Sequence, residues 1–169
     1  MKKEEFQEEA RKKSPLVLRV LEEPKIFIIG DEDELRRLLK KGSIKPFKPV
    51  GTQVEDLFAS AEKDIKASQE ILGLGYYGVS RDTAYEAMLK TGMALMFHHG
   101  FRPEAGSHRL TIIRFAERIL GSKDRHLILE FDRLRRSRHQ RLYRRKEQAS
   151  KSQVQKAVKT AQELLKASI

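Results

Sequence analysis

From residue 133 to 146 the chain reads Arg133-Leu-Arg-Arg-Ser-Arg138-His139-Gln-Arg141-Leu-Tyr143-Arg-Arg-Lys146, a run with eight basic side chains and no acid. The whole protein has 35 Lys and Arg against 24 Asp and Glu, so without these eight the formal net charge of +11 falls to +3. Guanidinium groups recognise phosphate with two parallel hydrogen bonds, and imidazole exchanges protons near neutral pH. A cluster of this kind creates a field that dispersed charges do not, which suits a polyanion such as RNA or DNA. A solvated basic helix face accounts for the charge equally well.

Helical phasing separates one member of the run from the rest. Leu127, Ile128, Phe131 and Leu134 set an apolar stripe, and four residues further on the same stripe stands Arg138. An inward guanidinium cannot shed its charge, so Arg138 requires a carboxylate such as Asp64 on another helix, a carbonyl cluster, a second subunit or a phosphate. His139 beside it has the chemistry of an acid or base, and equally that of a surface or capping residue. Tyr143, four residues after His139, lies on the same side and either binds phosphate or packs.

Other chemistries find little support. With no Cys there is no disulfide framework, zinc thiolate or thiol nucleophile, which fits a reducing cytoplasm. His98 and His99 are adjacent and point apart on a helix, and His108, His126 and His139 make no ligand pair at helical spacing, so neither metal nor cofactor is expected. Gly73-Leu-Gly75-Tyr-Tyr-Gly78 spells G-x-G-x-x-G but follows a helix rather than a strand. No apolar run is long enough to span a membrane, and Met1-Lys-Lys-Glu-Glu does not lead into a signal-peptide core; a soluble cytoplasmic protein is expected.

The elements that must position Arg138 are helices. Residues 1 to 51 read as an appendage: weak helix over 1 to 13, a Ser14-Pro15 cap, one short strand at Ile26-Phe-Ile-Ile29, a short helix from Asp31 that Gly42 stops, and a linker from Ser43 to Gly51. From 52 to 169 the pattern predicts an all-α, up-and-down bundle of four to five helices without strands. Thr52 with Glu55 caps the first, Ser80 starts the second, Ser107 caps the third, Ser122 or Lys123 begins the fourth, and Ser152 with Gln155 caps the fifth. Ala and Gly dominate one side of the second, which predicts a central helix that its neighbours approach closely.

Ala61-Glu-Lys-Asp64-Ile-Lys-Ala67, Ala84-Tyr85-Glu-Ala87-Met88 with Ala94-Leu95, Ser107-His108, and Phe131-x-x-Leu134-x-x-x-Arg138-x-x-x-x-Tyr143 follow one another on successive helices. In this order they resemble a HEPN domain, the helical module of many prokaryotic toxin and antitoxin pairs. The family's fourth-helix signature is an Arg, a polar residue, and a His four to six residues beyond the Arg. In active members two protomers join these in a dimer cleft for metal-independent RNA cleavage. The resemblance implies a homodimer that binds RNA or nucleotide. It assigns the catalytic positions to Arg138, His139 and Tyr143, and phosphate or RNA contacts to Arg133, Arg135, Arg136, Arg141, Arg144 and Arg145. Tyr143 stands where the catalytic His is expected, and a phenol is a poor base at neutral pH, so binding rather than cleavage is the expectation. A second register, Arg133 with His139, meets the spacing but puts Leu134 in the polar position.

Residues 14 to 35 resemble the C-terminal end of a minimal nucleotidyltransferase, the usual partner of HEPN proteins, without its Gly-Ser and paired Asp motifs. That resemblance implies a minimal nucleotidyltransferase as partner, with Tyr143 a candidate acceptor of transferred nucleotides. Two other readings stand beside RNA binding: a non-catalytic accessory subunit that helps present that enzyme's substrate, and a plain helical interaction protein with Arg138 in a structural ion pair.

Overall fold

The structure, a computed structural model, describes Arg37, Leu39 and residues 42 to 104, 108 to 143 and 149 to 169, with the backbone alone at 139 to 143. The strand expected at Ile26 to Ile29, the Ser14-Pro15 cap and the Ser107 cap lie outside the described residues. Arg37 and Leu39 are helical, and Gly42 ends this stretch at φ 65°, donating its N–H to the Leu39 carbonyl at 3.0 Å.

The fold is a mostly helical bundle, as the apolar periodicity predicts. Its helices are α1 (Gln53–Gly73), α2 (Tyr77–His98), α3 (His108–Leu120), α4 (Arg125–Tyr143) and α5 (Lys151–Ser168). A single 3₁₀ turn, Ser122–Asp124, leads into α4. α2 is buried on nearly all sides, with Ala84, Ala87, Met88, Ala94 and Met96 each fully inaccessible, and it packs against α1, α3, α4 and α5. Small side chains make this possible. A Cβ at Gly92 would overlap Cγ2 of Ile112, so the absence of a side chain there sets how closely α3 approaches α2. At the α1–α2 turn, Ser68 and Ser80 donate reciprocally to each other's carbonyls at 2.7 Å, satisfying two buried hydroxyls without a charge.

Two short strands depart from expectation, one in the stretch before residue 51 and the other within the all-helical pattern expected after it. β1 (Ile44–Pro46) pairs antiparallel with β2 (Phe101–Pro103), in the register Ile44 to Pro103 and Pro46 to Phe101. β1 falls in the stretch that reads as a linker. Its Ile44 and the Phe101 opposite are both 2% exposed, and the Phe47 ring packs 4.3 Å from that of Phe97. Among the described residues each strand is paired along one edge only, which tolerates the prolines.

Two caps also differ from expectation. Thr52 makes no side-chain cap; its hydroxyl donates to Asp56 at 2.8 Å, and Gln53 Oε1 accepts from the Val50 N–H. α5 is capped by Ser150 with Gln153, two residues before the predicted pair. The shift puts Ala149 and Val154 at the positions flanking the cap, and both are buried as a hydrophobic staple. Capping at Ser152 would have put Lys151 and Lys156 there.

Candidate functional site

α4 is amphipathic over its first half: Leu127, Ile128, Phe131 and Leu134 are all buried, as their spacing predicts. Arg138 continues that stripe to the margin of the core, where its side chain is 30% exposed. Its Nη1 donates to Oε1 of Glu86 on α2, and its guanidinium lies over the Tyr85 ring, 5.7 Å from the centroid. The partner is therefore Glu86. Asp64, the carboxylate suggested by sequence, instead binds Lys90 at 2.6 Å. Helical phasing identified the face that Arg138 occupies but not which neighbouring helix supplies the acid.

Tyr85 is 1% exposed and packs edge-on against Phe131 at 5.8 Å. Its hydroxyl is buried with no hydrogen-bond partner. Burial pushes the phenol up to about 12; Arg109 pulls it down, Glu86 adds to the rise, and Arg138 and Arg135 again oppose it. At neutral pH it is a proton donor. Tyr85, Glu86 and Arg109 were not among the residues expected here.

The rest of the basic run divides sharply. Arg133 donates from Nε and Nη2 to both carboxylate oxygens of Glu130, at 2.9 and 2.5 Å. Arg135 and Arg136 share Asp132, at 2.8 and 3.1 Å. These acids precede residue 133 by one and three positions, so a charge count begun at Arg133 misses the carboxylates that neutralise its first turn. Glu130 is buried and also accepts from Lys156 on α5 at 3.1 Å. Burial would push its carboxyl up, but the bonds from Arg133 and Lys156 outweigh that and hold it below the usual carboxylate range. Arg133, half of the alternative signature register, thus has a structural task within α4, holding the Glu130 carboxylate that Lys156 of α5 also binds.

The backbone of α4 carries His139, Arg141 and Tyr143 to the end of the helix, while their side chains and Arg144 and Arg145 lie outside the described residues. Among the described residues no group of His, Asp and Glu is placed to hold a metal ion, and no helix is long and apolar enough to cross a membrane.

A helical bundle with an arginine at the inner margin of its fourth helix defines a class before it defines a family. The family model for the HEPN domain matches residues 54–169, about two thirds of the protein, and the chain belongs to that family. No curated protein and no solved structure matches it. Membership supports a nucleotide- or RNA-related function in general terms.

Proposed function

We propose that the protein is the HEPN component of a toxin–antitoxin type module, a homodimer that binds RNA or nucleotide at the C-terminal half of α4. The observation that carries this is Arg138, drawn to the margin of the core by Glu86 and the Tyr85 ring while keeping part of its side chain open to solvent. A guanidinium fixed on two sides loses little freedom on meeting a phosphate. HEPN domains commonly dimerise and bind RNA, which supports the homodimer. His139 and Tyr143 would complete the site. With Tyr143 in place of the signature His, the site binds without efficient cleavage.

Binding of a short RNA measured against rising salt tests this. Arg138→Ala should weaken binding by about tenfold, the loss of one charge-assisted contact, while Lys166→Ala on exposed α5 surface leaves it within about twofold. The RNA should be recovered intact. Equal losses in both variants would mean unspecific charge and would defeat the proposal.

A second reading, a non-catalytic accessory subunit of a minimal nucleotidyltransferase, is favoured by the pairing of Arg133, Arg135 and Arg136 with Glu130 and Asp132, which closes much of the positive face RNA would use. It requires the enzyme to co-purify with this chain, and purification of the chain without it would count against the reading.

A further inference from the structure

We propose that Glu86 reads the sugar of the bound strand: with Arg138 on a phosphate, the free carboxylate oxygen of Glu86 accepts the neighbouring ribose 2′-hydroxyl. The site then takes an internal linkage of RNA in preference to DNA or a 5′-mononucleotide. This deepens the proposed binding role and rests on it. The observation behind it is how differently two ion pairs of α4 are built. Arg133 closes on Glu130 with Nε and Nη2 to both carboxylate oxygens, and Lys156 adds a contact to that buried acid. Between Arg138 and Glu86 a single nitrogen, Nη1, meets a single oxygen, Oε1. Among the described residues, Nε and Nη2 of Arg138 and Oε2 of Glu86 have no hydrogen-bond partner, and both side chains are partly exposed. An ion pair that only fastened α2 to α4 would gain by closing the second bond.

What stays open is a set of N–H donors beside one ionised acceptor. The guanidinium donates to phosphate oxygens, and an ionised carboxylate can only accept. Along RNA the 2′-hydroxyl and the 3′-phosphate stand on adjacent carbons of one ribose, a donor beside a group of acceptors, so the two sets match group for group. DNA keeps the phosphate and lacks the hydroxyl, and Glu86 then faces the backbone's negative charge with no proton to receive. A 5′-mononucleotide has both groups, but its phosphate hangs from the other side of the sugar. The repulsion between carboxylate and phosphate makes the choice, because only the strand that brings the hydroxyl offsets it.

The test compares binding of a short unstructured RNA to the full chain with that of a deoxyribose strand of the same bases and of a 2′-O-methyl strand, by fluorescence anisotropy at one ionic strength. The wild type should bind RNA about tenfold more tightly than either, as expected for one hydrogen bond to a charged group. Glu86→Ala should bring the three strands within about twofold of one another, with the affinity for DNA held or raised because a negative charge has gone. Glu117→Ala, which removes an exposed carboxylate from α3, should keep the wild-type preference. The preference is a ratio read on one preparation, so it does not depend on how much of a variant is folded. Adenosine 3′-monophosphate should also displace the RNA at lower concentration than its 5′ isomer. A Glu86 that only held Arg138 in place would, on removal, weaken RNA and DNA alike and leave the ratio at its wild-type value; that result would overturn the proposal, as would equal binding of RNA and DNA by the wild type. If Arg138→Ala leaves RNA binding unchanged, the proposed function falls and takes the reading of the sugar with it. If Arg138→Ala weakens RNA binding but the ratio ignores Glu86, the proposed function stands and only the role of Glu86 falls.

Discussion

Glu130 illustrates how a single carboxylate can decide what an arginine-rich stretch is for. Buried between α4 and α5, it holds Arg133 and Lys156 together and pairs the Arg133 guanidinium with a carboxylate. Because its carboxyl is held below the ordinary value of 4.5, the stabilisation is fully present above that pH and is lost as pH falls through the lower folded value. Glu130→Gln should therefore cost about 2 kcal/mol at pH 7, a difference that narrows below pH 4.5, as followed by urea denaturation at both pH values. At this scale the sequence was legible in direction but not in partnership. Arg138 points inward as phasing predicts, yet a period of 3.6 residues says nothing about which acid waits on the neighbouring helix, and Glu86 rather than Asp64 does so. The pairing of Arg135 and Arg136 with Asp132 was within reach, since spacings of three and four along one helix are local information.

Among the elements, α2 carries the bundle. A helix with one side of small residues lets its neighbours approach closely, and the Ala and Gly on one side of α2 show this in the sequence. Gly92 is the position where that design has no slack. Gly92→Ala would improve helix propensity, but its methyl meets Ile112, and the clash should win: we expect a net loss of about 1 to 3 kcal/mol with an unchanged denaturant m value. The start of α5 was ambiguous for a different reason. Ser150-Lys-Ser-Gln153 and Ser152-Gln-Val-Gln155 satisfy the same capping pattern, and only the burial of Ala149 and Val154 around the first decides between them. β1 and β2 had no such local signature. Three residues including a proline make no alternating pattern, and each is a strand only because the other pairs with it.

At the scale of the molecule, the β ribbon joins the residues before α1 to the end of α2. Ile44 enters the same core as Phe101 and Phe115. Ile44→Ala should destabilise the protein by about 2 to 4 kcal/mol, and a chain begun at residue 54 should unfold at correspondingly lower urea than one begun at residue 43, provided both carry the same C-terminus. The family match begins at residue 54, ten positions beyond Ile44. For anyone transplanting this domain, the heritable signature and the thermodynamic unit have different edges. A graft cut at the signature would carry all five bundle helices across and leave behind the strand that closes their core.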